Sequence, residues 1–201
     1  MTIAHRVLRR SELPVDATRL ARYLIGKTLV RDHSGGRMSG RIVETEAYVV
    51  GDAACHAFRG ITPRTRSLFL DRGIAYVYFI YGCWHAVNVS AEAHGVGAGV
   101  LIRALEPVEG VEMMRAYRRG AKLADLARGP GRLAMAMDID RRLDGTDLCL
   151  EGALWLGAPI RRTGAIGESV RIGITREVDR KLRFFEHDNI HVSGPARLRA
   201  R

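Results

Sequence analysis

The sequence predicts a single mixed α+β domain built around a mostly antiparallel β-sheet. The chain has 201 residues, the size of one domain. Its β-like runs are short and follow one another through turns, and its helical patterns are few. Hydrophobic residues make up 47% of the chain, which is enough for a sizeable core, and no repeat or linker divides it.

The first elements along the chain are a helix and a pair of strands. The helix is predicted to begin at a cap, either Asp16 or Thr18, and to end at Gly26. Residues 28–50 then contain two strand-like runs, which a turn at Gly35–Gly36 joins.

A β-hairpin is predicted in the middle of the chain, after a loop at 51–73. Its strands, 75–82 and 84–91, are rich in aromatic and β-branched residues, and its tip is the Gly82–Cys83 junction. A further strand is expected at 99–107.

The rest of the chain carries two helical patterns and three short strands. Helical spacing of apolar residues marks 108–119, and 129–140 begins with a turn that leads into a short helix. The strands are expected within 148–157, 168–176 and 181–186.

The charge of the chain points to a polyanionic partner. The formal net charge is +10 and the pI is about 10.2. Such a surface favours nucleic acid, because neutralising phosphates releases counterions. A soluble basic protein without a special ligand is the plain alternative, and charge alone does not separate the two.

The three cysteines and the absence of common motifs narrow the remaining classes. An odd number of cysteines without regular spacing predicts no disulfide framework and a reducing, cytoplasmic compartment. We expect no signal peptide and no membrane span. The cysteine and histidine spacings do not match a zinc site, and phosphate-binding glycine motifs are missing, so neither metal nor cofactor is expected.

Two acidic residues lie on one predicted strand, in the stretch RIVETEAYVV at 41–50. Alternation along a strand places Glu44, Glu46 and Tyr48 on the same face. One interpretation is an exposed face on which both acids pair with arginines, and spacing alone slightly favours it. The other is a carboxylate that activates a water beside a pocket with a tyrosine wall, which requires that carboxylate to lie next to the pocket.

The hairpin and the loop before it supply aromatic and basic residues. Tyr76 and Tyr78 share a face, and core packing is the default role of Tyr76. Tyr81, next to the tip, points elsewhere, where an aromatic side chain can wedge between stacked bases. His56 alone is more often structural. The arginines of its loop form either a solvated surface or a contact with phosphates; they are Arg59, Arg64 and Arg66.

An ordered set of motifs resembles the alkyladenine DNA glycosylase family, the 3-methyladenine DNA glycosylases of the mammalian type. The motifs are RIVETEAY at 41–48, His56, TPR at 62–64, YVYFIYG at 76–82, NVS at 88–90 and LIRALEP at 101–107. The resemblance extends from about Leu20 to Val192. It implies one compact domain, 1–201, in which a β-hairpin protrudes from a curved, mostly antiparallel sheet; the basic tail at 195–201 is expected to be loose.

The resemblance also implies an activity, the excision of alkylated purines from duplex DNA by hydrolysis of the N-glycosidic bond without a metal. Glu46 corresponds to the general base that activates water. Arg103 corresponds to a residue that supports this water and the nucleotide backbone. Because no lysine lies in the matched motifs, we expect a monofunctional enzyme with water as the nucleophile.

The remaining roles that the resemblance implies concern the base and the duplex. Tyr48, His56 and Tyr78 correspond to the aromatic walls around the extruded base. Asn88 corresponds to a residue that crowds the exocyclic amine of guanine. Tyr81 corresponds to the hairpin residue that fills the gap in the duplex.

The same residues also allow other functional interpretations. A non-catalytic minor-groove nucleic-acid-binding protein would use the hairpin and the basic face, but it has no use for Glu46 near phosphates. A nucleoside hydrolase of small molecules fits poorly with Tyr81 and the charge. Glu44 has no role in the resemblance, and our hypothesis is that it pairs with an arginine. The expected binding mode needs only a monomer.

Overall fold

The computed structural model describes residues 4–80 and 82–198, and these contain eight β-strands and three α-helices. The strands are β1 Thr28–His33, β2 Gly36–Tyr48, β3 Ala75–Ile80, β4 Trp84–Ser90, β5 Gly99–Glu109, β6 Leu154–Gly157, β7 Ile166–Ser169 and β8 Arg183–Glu186. The helices are α1 Ala17–Leu24, α2 Val111–Tyr117 and α3 Pro130–Ala136.

Strand β2 is the centre of a curled antiparallel sheet. One of its edges pairs with β5, and its other edge pairs with β1 over residues 36–41 and with β8 over residues 44–46. The main strand order is β3-β4-β5-β2-β1-β6. The register between β2 and β5 shifts on both sides of Glu44, and such bulges bend a strand. The predicted α+β class with a curved antiparallel sheet is confirmed.

The two faces of the sheet carry different residues. Ala75 and Val77 of β3 join the large apolar core that contains residues of all three helices. Tyr76 and Tyr78 alternate with them and belong to a second cluster, which includes residues of the loop 51–73. Helices therefore cover one face, and the loop packs against an aromatic face.

Helix α1 follows its sequence signals closely. The carboxylate of Asp16 accepts a hydrogen bond from the backbone N of Arg19 at 2.7 Å, which caps the helix. Leu20 is fully buried on its inner face. Gly26 ends the segment with a φ of +87°, and a Cβ there would lie 2.0 Å from Oγ1 of Thr163. Both the left-handed backbone and the close contact require glycine.

Two predicted strands differ from those observed. Strand β7 ends at Ser169, so the expectation of a strand over 168–176 is wrong for most of its length. The following residues leave the sheet because Arg171 turns inward to an ion pair with Asp52 and the backbone N of Ile172 bonds to Glu46. Residues 148–153 form turns, and β6 begins only at Leu154.

The hairpin and the C-terminal tail are described only in part. Strands β3 and β4 pair from Ala75–Val89 to Ile80–Trp84, and the ring of Phe79 near the tip is exposed. Tyr81 lies outside the described residues. In the tail, the carbonyl of Leu198 accepts a hydrogen bond from Arg183, whereas 199–201 lie outside the described part. No helix among the described residues is long and apolar enough to cross a bilayer.

Candidate active site

A cavity of about 780 Å³ opens on the aromatic face of the sheet. This volume lies within the range of about 300–1,000 Å³ that small-molecule sites occupy. Strands β2 to β5, the loop 51–73 and the segment 172–176 contribute to its wall. Eight of the candidate site residues from the sequence line it; they are Tyr48, His56, Arg59, Arg64, Tyr76, Tyr78, Asn88 and Arg103.

Three aromatic rings form a continuous side of the cavity. The rings of Tyr76 and Tyr78 are stacked, with centroids 5.1 Å apart, and the His56 ring meets Tyr78 edge-on at 4.5 Å. Nδ1 of His56 lies 2.9 Å from the hydroxyl of Tyr76. Burial and the neighbouring Arg64 lower the pKa of His56, so the ring is neutral at pH 7. Tyr76 therefore packs in a buried cluster, as predicted, and also lines the cavity.

Glu46 is buried directly behind this cavity. Its Oε1 accepts a hydrogen bond from the backbone N of Ile172 at 2.7 Å and lies 3.2 Å from Nη1 of Arg103. Its Oε2 accepts a hydrogen bond from the hydroxyl of Tyr48 at 3.0 Å. Burial raises the pKa of Glu46 above its ordinary value, against the opposing effect of Arg103. Burial also raises the pKa of Tyr48, which keeps its hydroxyl a neutral donor.

The carboxylate of Glu46 lies next to the cavity but is not open to it. Glu46 has no exposed surface and is not part of the cavity wall. Its three hydrogen-bonding or charged partners, however, all line the cavity; they are Tyr48, Arg103 and Ile172. The carboxylate is thus separated from the cavity by one layer of side chains.

Glu44 holds the arginine that faces Glu46. Its Oε1 accepts hydrogen bonds from Nε of Arg103 at 3.0 Å and from Nε of Arg183 at 2.7 Å. Its Oε2 accepts one from the backbone N of Ser193 at 2.6 Å. Burial opposes ionisation, but the two arginines lower the pKa of Glu44. The hypothesis of an arginine partner is confirmed, whereas the exposed face is not, because Glu44 and Glu46 are both fully buried.

Comparison with known proteins bears on the chemistry of this site. The family model described as methylpurine-DNA glycosylase matches residues 11–190. The chain belongs to the methylpurine-DNA glycosylase family. The resemblance inferred from the motifs is thereby confirmed, and the chain is a DNA glycosylase, an enzyme class of base excision repair.

Curated relatives are similar to this glycosylase along most of its length. A protein of Mesorhizobium japonicum is 61% identical over 194 residues, which cover 96% of this chain and 93% of the relative. Another, from Paraburkholderia phytofirmans, is 52% identical and covers 95% of this chain and 90% of its own. A third, from Clostridium tetani, is 40% identical and covers 88% and 94%. Each carries the name "Putative 3-methyladenine DNA glycosylase".

Asn88 of the glycosylase is fixed at the floor of the cavity. It lies on β4, is 6% exposed, and donates a hydrogen bond from Nδ2 to the carbonyl of Tyr76 at 3.2 Å. Its neighbours across the sheet are Tyr76 on β3 and Leu101 on β5. The hydrogen bond to the Tyr76 carbonyl fixes the orientation of the Asn88 amide within the cavity wall.

The predicted phosphate-contacting arginines lie outside the aromatic cluster. Arg59, Arg64 and Arg66 are all exposed, and the first two belong to the cavity rim. The guanidinium of Arg64 lies 5.7 Å from the ring centroid of Tyr78. Their contact with DNA stays a prediction, as does the role of Tyr81, which lies outside the described residues.

Sequence patterns did not indicate a site role for the segment 172–176 or for the pair of Asp52 and Arg171. The segment forms one wall of the cavity, and Ile172 closes it over Glu46. Asp52 and Arg171 are both buried and bonded to each other. The alternation of apolar residues at 168–176 is typical of a strand, and it therefore led to a wrong prediction for this segment. A buried pair 119 positions apart leaves no local pattern.

Proposed function

We propose that this glycosylase excises alkylated purines from duplex DNA by hydrolysing the N-glycosidic bond with a water that Glu46 activates, leaving an abasic site. One observation carries the proposal: a cavity of a size suited to a purine has aromatic walls, and a buried carboxylate is hydrogen-bonded to its lining. Tyr48 on one side, and His56 with Tyr78 on the other, would hold the base.

The proposal requires the target nucleotide to leave the duplex. A duplex does not fit a cavity of about 780 Å³, so the enzyme would act on an extruded base, at a cost of a few kcal/mol. The end of the β3–β4 hairpin adjoins the cavity, because Phe79 and Ile80 line its rim. Tyr81 follows directly and would replace the lost stacking in the duplex. Asn88 would disfavour normal guanine by crowding its exocyclic amine.

The proposed reaction needs one base and no strong acid. Water attacks C1′ of the sugar, its proton passes to Glu46, and the electrons of the broken bond leave with the purine. The ionised carboxylate also stabilises the positive charge that develops on the sugar. A cationic alkylated purine leaves readily without protonation. No lysine occurs among the described residues that line the cavity, which supports a monofunctional enzyme.

The hydroxyl of Tyr48 would have to part from Glu46 before a water can bind there. We therefore expect Tyr48→Phe to keep the rate of base release within about threefold of wild type, since the ring remains. Tyr48→Ala should reduce the efficiency by about 10- to 100-fold, because stacking of a base on an aromatic ring contributes about 1–3 kcal/mol. Single-turnover kinetics on one duplex substrate measures both. An equal loss in the two variants would contradict a role for the ring.

The function itself is tested with a panel of duplex oligonucleotides, each with one 7-methylguanine, hypoxanthine or ethenoadenine, and with methylated DNA that contains 3-methyladenine. We expect alkali-dependent strand cleavage at one or more lesions and none at undamaged purines. Without alkali the strand should stay intact, as a monofunctional enzyme leaves the backbone uncut. Binding to lesion duplexes without any abasic product would instead support the non-catalytic alternative.

A further inference from the structure

The ring of Tyr48 is covered from behind by a positive charge. Cζ of Arg171 lies 4.7 Å from the centroid of this ring. Tyr48 lines the cavity, whereas Arg171 is 4% exposed and takes no part in the cavity wall. The guanidinium therefore contacts the ring from outside the cavity, and the part of the ring that lines the cavity faces the proposed base site.

Arg171 is held firmly in this place. Its Nη1 donates a hydrogen bond to the carbonyl of Ala47 at 3.0 Å, next to Tyr48 in the chain. Both terminal nitrogens bind the carboxylate of Asp52, with Nη2 to Oδ1 at 3.1 Å. The side chains of Asp52 and Arg171 have no exposed surface. A planar guanidinium held through both of its terminal nitrogens sets the tilt and depth of the ring that it covers.

Supporting a ring with a buried ion pair requires the desolvation of two charges. Desolvation of two charges offsets much of their attraction, so a buried ion pair adds little stability compared with well-packed apolar residues of similar size. The charges have one effect that an apolar pair lacks: they alter the electrostatic potential at the part of the ring that lines the cavity. A cation on one face of an aromatic ring weakens the attraction of the other face for a second cation.

We propose that Asp52 and Arg171 are positioning residues which, through Tyr48, set the preference of the enzyme between positively charged and neutral purine lesions. The inference rests on the proposed function, since it takes Tyr48 as a wall of the base site. The guanidinium reduces the advantage that a tyrosine wall gives to cationic bases, and the Asp52 carboxylate restores part of it. The pair thus keeps neutral damaged purines competitive with cationic ones.

The test removes each charge separately and looks for opposite effects. Dissociation constants are measured for a duplex with 7-methylguanine stabilised by a 2′-fluoro sugar, which is cationic, and for a duplex with hypoxanthine, which is neutral. All variants carry Glu46→Gln, so that the base stays attached. Arg171→Gln should raise the preference for the cationic lesion by about three- to tenfold, and Asp52→Asn should lower it by a similar factor.

Two controls separate this effect from general damage to the site. Arg171→Lys keeps the charge and loses the planar contact, so affinity should fall for both duplexes while their ratio stays within about twofold. Adding Tyr48→Leu should abolish the effect of either charge variant on the ratio, because the ring transmits it. Where Arg171→Gln does not fold, as judged by circular dichroism, Asp52→Asn alone decides the sign.

A ratio unchanged in both charge variants, or shifted in the same direction by both, would overturn the inference. Failure of the proposed function has a different signature, which is the absence of abasic sites when the wild-type enzyme acts on the lesion panel. The binding ratio and the excision assay are thus independent measurements.

Discussion

Glu46→Gln is expected to lower the single-turnover rate of base release by at least about a thousandfold, while the variant still binds lesion duplexes. General-base catalysis contributes about 10²- to 10⁴-fold, and the amide also loses the negative charge that faces the developing sugar cation. The amide keeps the size of the side chain and one acceptor for the backbone N of Ile172. Excision is measured by alkaline cleavage and binding by a gel-shift or fluorescence titration.

Glu106→Gln is the matched control for this variant. Glu106 is a partly buried acid paired with Arg41 and Arg161, and neither it nor these two arginines line the cavity. The Glu106→Gln variant should release the damaged base at the wild-type rate. If Glu46→Gln released the base as fast as this control, Glu46 would not be the base.

The proposed role of Glu46 as the general base determines where the rate of excision falls at low pH. Burial raises the pKa of Glu46, and only its ionised form accepts a proton from water. Activity should therefore fall as the pH decreases through this raised pKa, which lies above the ordinary value of 4.5. A 7-methylguanine substrate keeps its charge over this range, so the decline reports the enzyme. An acid limb at or below 4.5 would contradict the assignment.

Glu44→Gln is expected to reduce the free energy of unfolding by about 3–5 kcal/mol, because it leaves two buried arginines without their shared carboxylate. Those arginines are Arg103 and Arg183, and the latter has no exposed side-chain surface. Urea denaturation at pH 7 measures the change. Because the substitution also frees the arginine that contacts Glu46, we expect excision to weaken together with stability.

A surface pair supplies the control for Glu44. Glu168 pairs with Arg22 at 2.5 Å, and about half of each side chain is exposed. Solvent screens such a pair, so Glu168→Gln should cost less than about 1 kcal/mol. Folding lowers the pKa of the Glu44 carboxyl. The stability that its ionised form contributes is therefore fully present above the pKa of the unfolded state and is lost as the pH falls through the pKa of the folded state. The difference in the free energy of unfolding between wild type and Glu44→Gln should therefore become smaller as the pH decreases. Equal effects of the two substitutions at pH 7 would refute the structural role of Glu44.

Local patterns predicted the fold well where neighbours along the chain decide the structure. Asp16 caps α1 and Gly26 terminates it, as the residue types indicate. The hairpin β3–β4 follows two β-like runs separated by a glycine turn. Alternation also placed Tyr76 and Tyr78 on one face, where their rings stack. In each case the determining residues lie within a few positions of one another.

Local patterns failed where distant charges meet. The alternation at 168–176 predicted a strand, but Arg171 leaves the sheet to bind Asp52, 119 positions away. Spacing also left open whether Glu44 and Glu46 face solvent. Both are fully buried, since arginines from β5 and β8 neutralise them.

The sequence by itself determined the α+β class, the hairpin, the family and most of the candidate residues that line one cavity. Only the tertiary structure decided that Glu46 is sealed behind Tyr48, that Glu44 holds Arg103, and that Arg171 lies against Tyr48. The reason is physical. Turns and alternation depend on adjacent residues, whereas the partners of the buried Glu44 lie 59 to 149 positions away in the chain. Their desolvation depends on how the whole domain packs.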